Sequence, residues 1–291
     1  MKIISKIYGG LGNQMFQYAC GKAVASRLGA CLYLDISWFD SGNRIFMLDI
    51  FPNISYYLSP HRNYLSTEII VLSKNILRRM GMHIMRDINE PNHSYWPGIE
   101  QIKSSVILSG YWQNEKYFSE ISPIIKKYFM FPEFDCLEAK NMAKKITESA
   151  CSIGIHIRRG DYVDSPKTNN FHGVCSPEYY KKAIHLIIDK YEGKAIPELY
   201  LFSDDPDWVK NNFNTCGLSF IIVNIQEHKD KPYHDMNLMS LCQHHIIANS
   251  SFSWWGAWLS PGNGIVVAPK RWYAEETIKD YNPSLDSWIK I

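Results

Sequence analysis

Residues 156–163, HIRRGDYV, gather a histidine, two arginines and an aspartate directly behind the apolar run CSIGI. Surface charge where a strand meets solvent is the plainer reading. An anion site is the sharper one, because arginine presents a planar fork of donors matched to phosphate oxygens. Side chains alternate along a strand, so Arg158 and Arg159 cannot both point the same way. One faces a ligand crevice and the other a structural carboxylate, and His156 shares the parity of Arg158. The embedded RGD is not read as an adhesion motif.

Three further stretches could carry chemistry. In GGLGNQMFQYA (Gly9–Ala19) a strand enters a glycine turn and then a helix N-terminus, which makes a nest of backbone N–H groups around Gly10 and Gly12. No GK[ST] follows, so it is not a P-loop, and a tight turn needing positive φ would explain the glycines equally well. Asn13 and Gln14 add neutral donors and acceptors suited to a sugar hydroxyl. In SDDPDW (Ser203–Trp208) clustered aspartates could hold a divalent ion, but an aspartate before Pro206 is also how a helix starts, and that reading is preferred. A nucleotide-edging role for Ser203 and Asp204 survives it. In ANSSFSWWGAW (Ala248–Trp258) polar residues open a helix behind a strand, well placed for a diphosphate, while Trp254, Trp255 and Trp258 read as packing. The histidines form no HExxH, none of the seven cysteines sits in a CxxC pair, and no residue is assigned to a metal.

The elements that must position these residues alternate between strand and helix. In the second half, CSIGIHIRR, ELYLFS, SFIIVN, HHIIAN and GIVVAP read as strands. SPEYYKKAIHLIIDKY, DDPDWVKNNF, YHDMNLMSLCQ and SSFSWWGAWL read as helices between them. Such alternation predicts an α/β fold with a parallel, doubly wound sheet whose ligands bind beyond the carboxyl ends of the strands. The first half reads similarly: KIISKIYGG, CLYLDIS and SSVILSGYW as strands, NQMFQYACGKAVASRLG, TEIIVLSKNILRRM and NEKYFSEISPIIKKYF as helices. Residues 40–66 are irregular. The chain therefore divides into two domains, 1–148 and 149–291.

Composition narrows the function classes. A 291-residue chain with 46% hydrophobic and 21% charged residues supports full cores, and a formal charge of +2 argues against coating nucleic acid. The start, MKIISKIYGGLGNQ, is not read as a signal peptide, and no run approaches a membrane span, so a cytoplasmic location is expected. The basic, apolar helix within RNYLSTEIIVLSKNILRRM leaves room for peripheral contact with the inner membrane if the acceptor is lipid-linked, although a packed helix with solvated Lys and Arg is the preferred reading.

Taken together and in order, GGLGNQMFQYA, SGYWQNEKYF, HIRRGDYV and IIANSSFSWWGAWL resemble bacterial α-1,2-fucosyltransferases of glycosyltransferase family 11, over Gly9 to about Tyr273. Residues 40–98 match nothing clearly, and acceptor choice is expected there. The resemblance implies a GT-B-like fold of two Rossmann-like domains, an N-terminal acceptor-side domain and a C-terminal domain binding GDP-fucose. It implies inverting transfer of L-fucose from GDP-β-L-fucose to the 2-hydroxyl of a galactose-terminated glycan, in O-antigen or surface polysaccharide synthesis, with no cofactor and no metal.

By the same resemblance Arg158 clamps the diphosphate. Ser250, Ser251, Phe252 and Ser253 line it, Asp235 contacts guanine, and Asn13 sits near the reacting sugar. Gly10, Gly12, His156, Ser203 and Asp204 complete the donor side. Asp161 and Asp164 are the first candidates for the base, and His172 is third. The competing readings are a transferase using another GDP-sugar or a metal held by SDDPDW, and a non-catalytic protein that binds a nucleotide sugar or glycan.

Overall fold

The computed structural model describes residues 1–42, 44–59, 85–160, 163, 165–191, 195–228, 230–278 and 280–291. The expected helix TEIIVLSKNILRRM lies outside them. The described chain forms two compact units. The first comprises Met1–Asp49 and Asn53–Tyr128; the second comprises Ile50–Pro52 and Phe129–Ile291. The division thus falls at Tyr128/Phe129, whereas the expected boundary at 148/149 would leave helix Leu137–Glu148 in the first unit.

The first unit runs β1 (Lys2–Lys6), α1 (Leu11–Arg27), β2 (Cys31–Asp35), β3 (Tyr57–Leu58), β4 (Arg86–Asn89), β5 (Val106–Ser109) and α2 (Ser122–Tyr128). Its sheet has the order β3-β2-β1-β5-β4, with every pair parallel. Strands β1 and β2 each bury alternate residues, among them Ile3, Leu32 and Leu34. The expected helix over NEKYFSEISPIIKKYF is instead two 3-10 turns, Glu115–Tyr117 and Ser119–Ile121, followed by the short α2. Pro123 explains the break: a proline inside a longer helix removes an N–H and collides with the carbonyl four residues back.

The second unit runs α3 (Leu137–Glu148), β6 (Ser152–Ile157), α4 (Pro166–His172), α5 (Pro177–Lys190), β7 (Glu198–Ser203), α6 (Pro206–Asn212), β8 (Phe220–Val223), α7 (Pro232–Ser240), β9 (His244–Ile246), α8 (Ser251–Trp258), β10 (Val266–Ala268) and β11 (Ile289–Lys290). Its sheet is again wholly parallel, in the order β11-β10-β9-β6-β7-β8. Strand β6 lies inside the sheet with all six residues buried, as a strand covered on both faces must be. Helix α5 starts where Ser176 accepts from Tyr179 N at 3.2 Å with Pro177 at its first position, and it buries Tyr180, Ile184 and Ile187.

Each sheet reverses its direction of growth once. In the first, β2 and β3 extend to one side of β1, and β5 and β4 to the other. In the second, β7 and β8 extend from one side of β6, and β9, β10 and β11 from the other. At such a switch point the connecting segments diverge and leave a crevice beyond the carboxyl ends of the two strands. The β1/β5 crevice is edged by GGLGNQ and SGYWQ, and the β6/β9 crevice by HIRRGD and ANSSFSWW.

Candidate active site

At the β6 end, Ile157 is the last strand residue and Arg158 the first beyond it. Arg158 Nη1 pairs with Asp204 Oδ2 at 2.7 Å, and Asp204 Oδ1 accepts from the Arg159 backbone N–H at 2.9 Å. Arg159 Nε lies 3.4 Å from Asp205 Oδ2, and its guanidinium stands 3.7 Å from the centroid of the Trp208 ring. Both arginines therefore hold a carboxylate, where alternation had assigned a carboxylate to only one. Asp204 approaches so closely that a Cβ at Gly160 would stand 2.5 Å from its Oδ2, which accounts for the glycine after the arginines. Asp205 caps α6 by accepting from Trp208 N at 3.1 Å, so DDPD does build a helix start. Ser203 Oγ donates to Ile157 O at 2.8 Å and accepts from Asp205 N at 3.0 Å, tying β7 to β6.

His156 is 5% exposed and its ring meets Phe252 at 5.1 Å, linking the end of β6 to the start of α8 across the switch point. Burial first, and the Arg158 charge second, lower its pKa to about 3, so the imidazole is neutral at physiological pH. Its Nδ1 is buried without a hydrogen-bond partner among the described residues. Ser250 caps α8 by accepting from Phe252 N at 3.3 Å, and Ser251 and Phe252 are half-exposed at its first turn. Ser253 is wholly buried, and its hydroxyl lies 3.3 Å from both Ala248 O and Ser250 O. As placed, it supports the turn and does not line the crevice.

Asn249 is a staple: its Nδ2 donates to His172 O (2.9 Å), Gly173 O (3.3 Å) and Trp272 O (3.1 Å). That fixes His172 beside the β9 end, among Phe171 and Tyr273. Trp254 and Trp255 are fully buried and Trp258 nearly so, as expected of packing residues. Asp235 lies in the first turn of α7, half-buried, with Oδ1 buried and unpartnered; burial raises its pKa to about 7. Asp161 and Asp164 lie outside the described residues.

At the β1/β5 crevice the side chains of Asn13, Gln14 and Gln113 are uncharged. Asn13 Oδ1 accepts from Gln113 Nε2 at 2.7 Å, joining the segments after β1 and β5. Gln14 is spent on scaffold: Nε2 donates to Gly9 O and Ile45 O, both at 3.0 Å, and Oε1 accepts from Met47 N at 2.9 Å. Gly9, with φ +79°, is the glycine the backbone demands; Gly10 is the extended N-cap of α1 and Gly12 is buried in its first turn.

The sequence reading missed Glu90, just past β4. Its Oε2 accepts from Tyr111 N (2.8 Å) and Trp112 N (3.1 Å), and a Cβ at Gly110 would stand 2.8 Å from that oxygen. Trp112, at φ 54°, is held in the left-handed region that bulky side chains avoid. Burial raises the Glu90 pKa to about 7 despite those two donors. The only signal was an acidic residue ending a short alternating stretch, RDINEP.

Two crevices at parallel-sheet switch points, one edged by arginines and a serine-capped helix, suit group transfer from an activated anionic donor. A model of glycosyl transferase family 11 matches residues 5–291. The chain belongs to that family. It is 33% identical over 300 residues to an Escherichia coli alpha-1,2-colitosyltransferase, covering 99% of this chain and 98% of the relative. It is 34% identical over 311 residues to the Escherichia coli O-antigen biosynthesis glycosyltransferase WbnK, covering 99% of each. An Arabidopsis thaliana FUT1 structure in complex with GDP superposes with a TM-score of 0.51 at 13% identity, covering 91% of this chain and 69% of that one. The family 11 chain thus has the expected GT-B-like architecture of two Rossmann-like units. Among its described residues no helix is long and apolar enough to cross a membrane.

Proposed function

We propose that this family 11 glycosyltransferase moves L-fucose from GDP-β-L-fucose to the 2-hydroxyl of a terminal galactose, forming an α-1,2 linkage in O-antigen or surface polysaccharide synthesis. The observation that carries the reading is the β6/β9 crevice, where Arg158, anchored by Asp204, stands beside a neutral histidine and a serine-capped helix start. The α-1,2 linkage and the O-antigen setting draw support from the names of the two Escherichia coli relatives.

In this reading the second unit binds the donor. Arg158 and the first turn of α8, with Ser250, Ser251 and Phe252, stabilise the charge that grows on the departing diphosphate. Asp235 accepts from guanine through Oδ1, which has no hydrogen bond among the described residues. The first unit serves the acceptor side, with Asn13 near the reacting sugar. A β-linked donor and an α-linked product require one inverting displacement. The acceptor hydroxyl then loses its proton to a base whose pKa lies near the working pH. Glu90 has that property, and Oε2 is its only hydrogen-bonded oxygen among the described residues. Asp161, Asp164 and His172 are its competitors.

Fucose has one rival with an observation behind it. The colitosyltransferase relative favours colitosyl transfer through the same crevice. The test is GDP release from GDP-fucose, with and without lactose, in EDTA. Lactose-dependent release with a fucosylated product supports the proposal. Release only from the colitosyl donor replaces the sugar but keeps the site. Loss in EDTA that magnesium restores would move the leaving-group chemistry to a metal at SDDPDW.

A further inference from the structure

Away from both crevices, the second unit brings Asp135 and Cys136, just before α3, against His228 and His234, at and before the start of α7. Both histidine side chains are 1% exposed, and Asp135 is 44% exposed. His228 Nε2 lies 3.4 Å from Cys136 Sγ and 3.4 Å from Asp135 Oδ1, and His234 Nε2 lies 3.4 Å from that same Oδ1. The last pair is close but not aligned, so among the described residues His234 Nε2 is buried without a hydrogen bond. The two imidazoles stack at 4.1 Å, and one ligand atom each from Asp135, His228 and His234 lies within 4.8 Å of the others.

The three 3.4 Å separations match edges of a zinc coordination shell. Zinc bonds of about 2.0–2.1 Å to nitrogen or oxygen and about 2.3 Å to sulfur give ligand–ligand edges of about 3.3–3.6 Å. Two buried imidazoles, one thiol and one carboxylate are the donor set of a closed zinc site. Lys231 does not oppose it, because its ammonium engages Asp135 through Oδ2 and leaves Oδ1 to the cluster. Ala139 N–H donates to Cys136 Sγ at 3.4 Å. Such outer partners orient metal ligands. A thiolate and a carboxylate also balance a divalent charge.

We propose that Asp135, His228 and His234 hold a structural zinc-type ion that pins the start of α3 to the start of α7, and that the Cys136 thiolate, beside His228, turns in as the fourth ligand. This departs from the sequence reading, which assigned no metal. The ligand pairs lie in segments about ninety residues apart, so no compact spacing could show them.

The test is cobalt titration of the full wild-type chain after chelator treatment and dialysis. The expected result is one cobalt per chain, with a near-ultraviolet thiolate charge-transfer band and the intense visible bands of four-coordinate cobalt, both displaced by zinc. Zinc also raises Tm in a concentration-dependent way. Cys136→Ser removes the charge-transfer band, and His234→Asn weakens binding at least ~10-fold. Cys31→Ser, at an exposed cysteine elsewhere, leaves both intact. A wild-type chain with no saturable cobalt spectrum and no zinc-dependent Tm would show the cluster to be an ion-pair hub around Asp135, and the proposal would fall. It would fall equally if the thiolate band survived in Cys136→Ser. Chelation is expected to lower Tm without abolishing the transfer measured in EDTA, which keeps this structural site distinct from a catalytic magnesium.

Discussion

The two crevices share one device and use it to opposite effect. Each sets a carboxylate where a glycine lacks a Cβ: Asp204 against Gly160 in the second unit, and Glu90 against Gly110 in the first. Asp204 meets a guanidinium at 2.7 Å and a backbone N–H at 2.9 Å. Among the described residues Glu90 meets the backbone N–H groups of Tyr111 and Trp112 and no cation, among the rings of Tyr8 and Tyr111. With a cation, the carboxylate orients a charge that a diphosphate can use. Without one, burial wins over two neutral donors and the carboxyl is left poised to exchange a proton near pH 7. Glycine–carboxylate contact thus fixes position in both units, and the presence or absence of arginine decides the chemistry.

The most direct way to break this comparison is Arg158→Ala. Removing one charge-stabilising donor should lower turnover at least ~100-fold. The KM for the acceptor should hold, because the loss falls on the leaving group. Arg159→Ala, removing a cation already laid over Trp208 and paired with Asp205, should cost far less. Equal losses in the two variants would end the assignment of the clamp to Arg158. Arg158→Lys should recover only a little, since a point charge does not reproduce the fork.

Glu90→Gln probes the other crevice. Gln keeps an oxygen for the two N–H groups and loses the titration. Turnover should fall about 100-fold, at the low end for a positioned general base. The wild-type rise in kcat through about pH 7 should disappear with it. A variant that keeps the pH profile would hand the base to Asp161, Asp164 or His172, to be separated by the same profile in Asp161→Asn and Asp164→Asn, with circular dichroism to exclude a folding defect.

How much of this was legible depended on whether a feature was local. HIRRGD, SDDPDW and NSSFSWW announced themselves because a polar cluster directly behind an apolar run marks a strand's carboxyl end, and the parallel sheet puts those ends at one edge. The cap at Asp205 and the packing tryptophans followed from helix chemistry alone. Strands β3 and β4 did not show, because YL and RDIN have three exposed residues for every buried one or none buried at all. Glu90 stood within residues 40–98, which match nothing clearly, and its partners are 21 and 22 residues away. Gln14 and Ser253 looked available because their polarity is local, while the carbonyls that consume them come from the folded chain.

The glycines give a smaller, more structural test. Gly160→Ala and Gly110→Ala each force a methyl into a carboxylate oxygen, at 2.5 Å and 2.8 Å. Overpacking of this kind costs about 1–3 kcal/mol. Gly160→Ala should lower both Tm and turnover, because Asp204 carries Arg158 with it. Gly110→Ala should lower Tm similarly and shift the pH profile, because it displaces the Glu90 carboxylate. If both changed Tm alone, the carboxylates would be structural in both units.

The smallest expected effect is on the pH dependence of stability. Glu90 and Asp235 have folded pKa values raised from 4.5 and 3.8 to about 7, both by burial. Between those ordinary values and about pH 7 the folded chain keeps protons that the unfolded chain has released. Their contribution to stability is therefore complete below about pH 4 and is lost as pH rises through about 7. At about 1.4 kcal/mol per pKa unit, each carboxyl is worth a few kcal/mol over that window. Urea midpoints of the wild type should fall from pH 5 to pH 8. Glu90→Gln should match the wild type at pH 5, where Glu90 is protonated, and exceed it at pH 8, where an ionised Glu90 burdens the fold. Asp235→Asn should do the same independently, and GDP should restore little in that variant if Asp235 is what guanine meets. A slope unchanged in Glu90→Gln would mean that the first crevice holds no carboxyl titrating near neutrality, and the contrast with the arginine-paired Asp204 would lose its electrostatic basis.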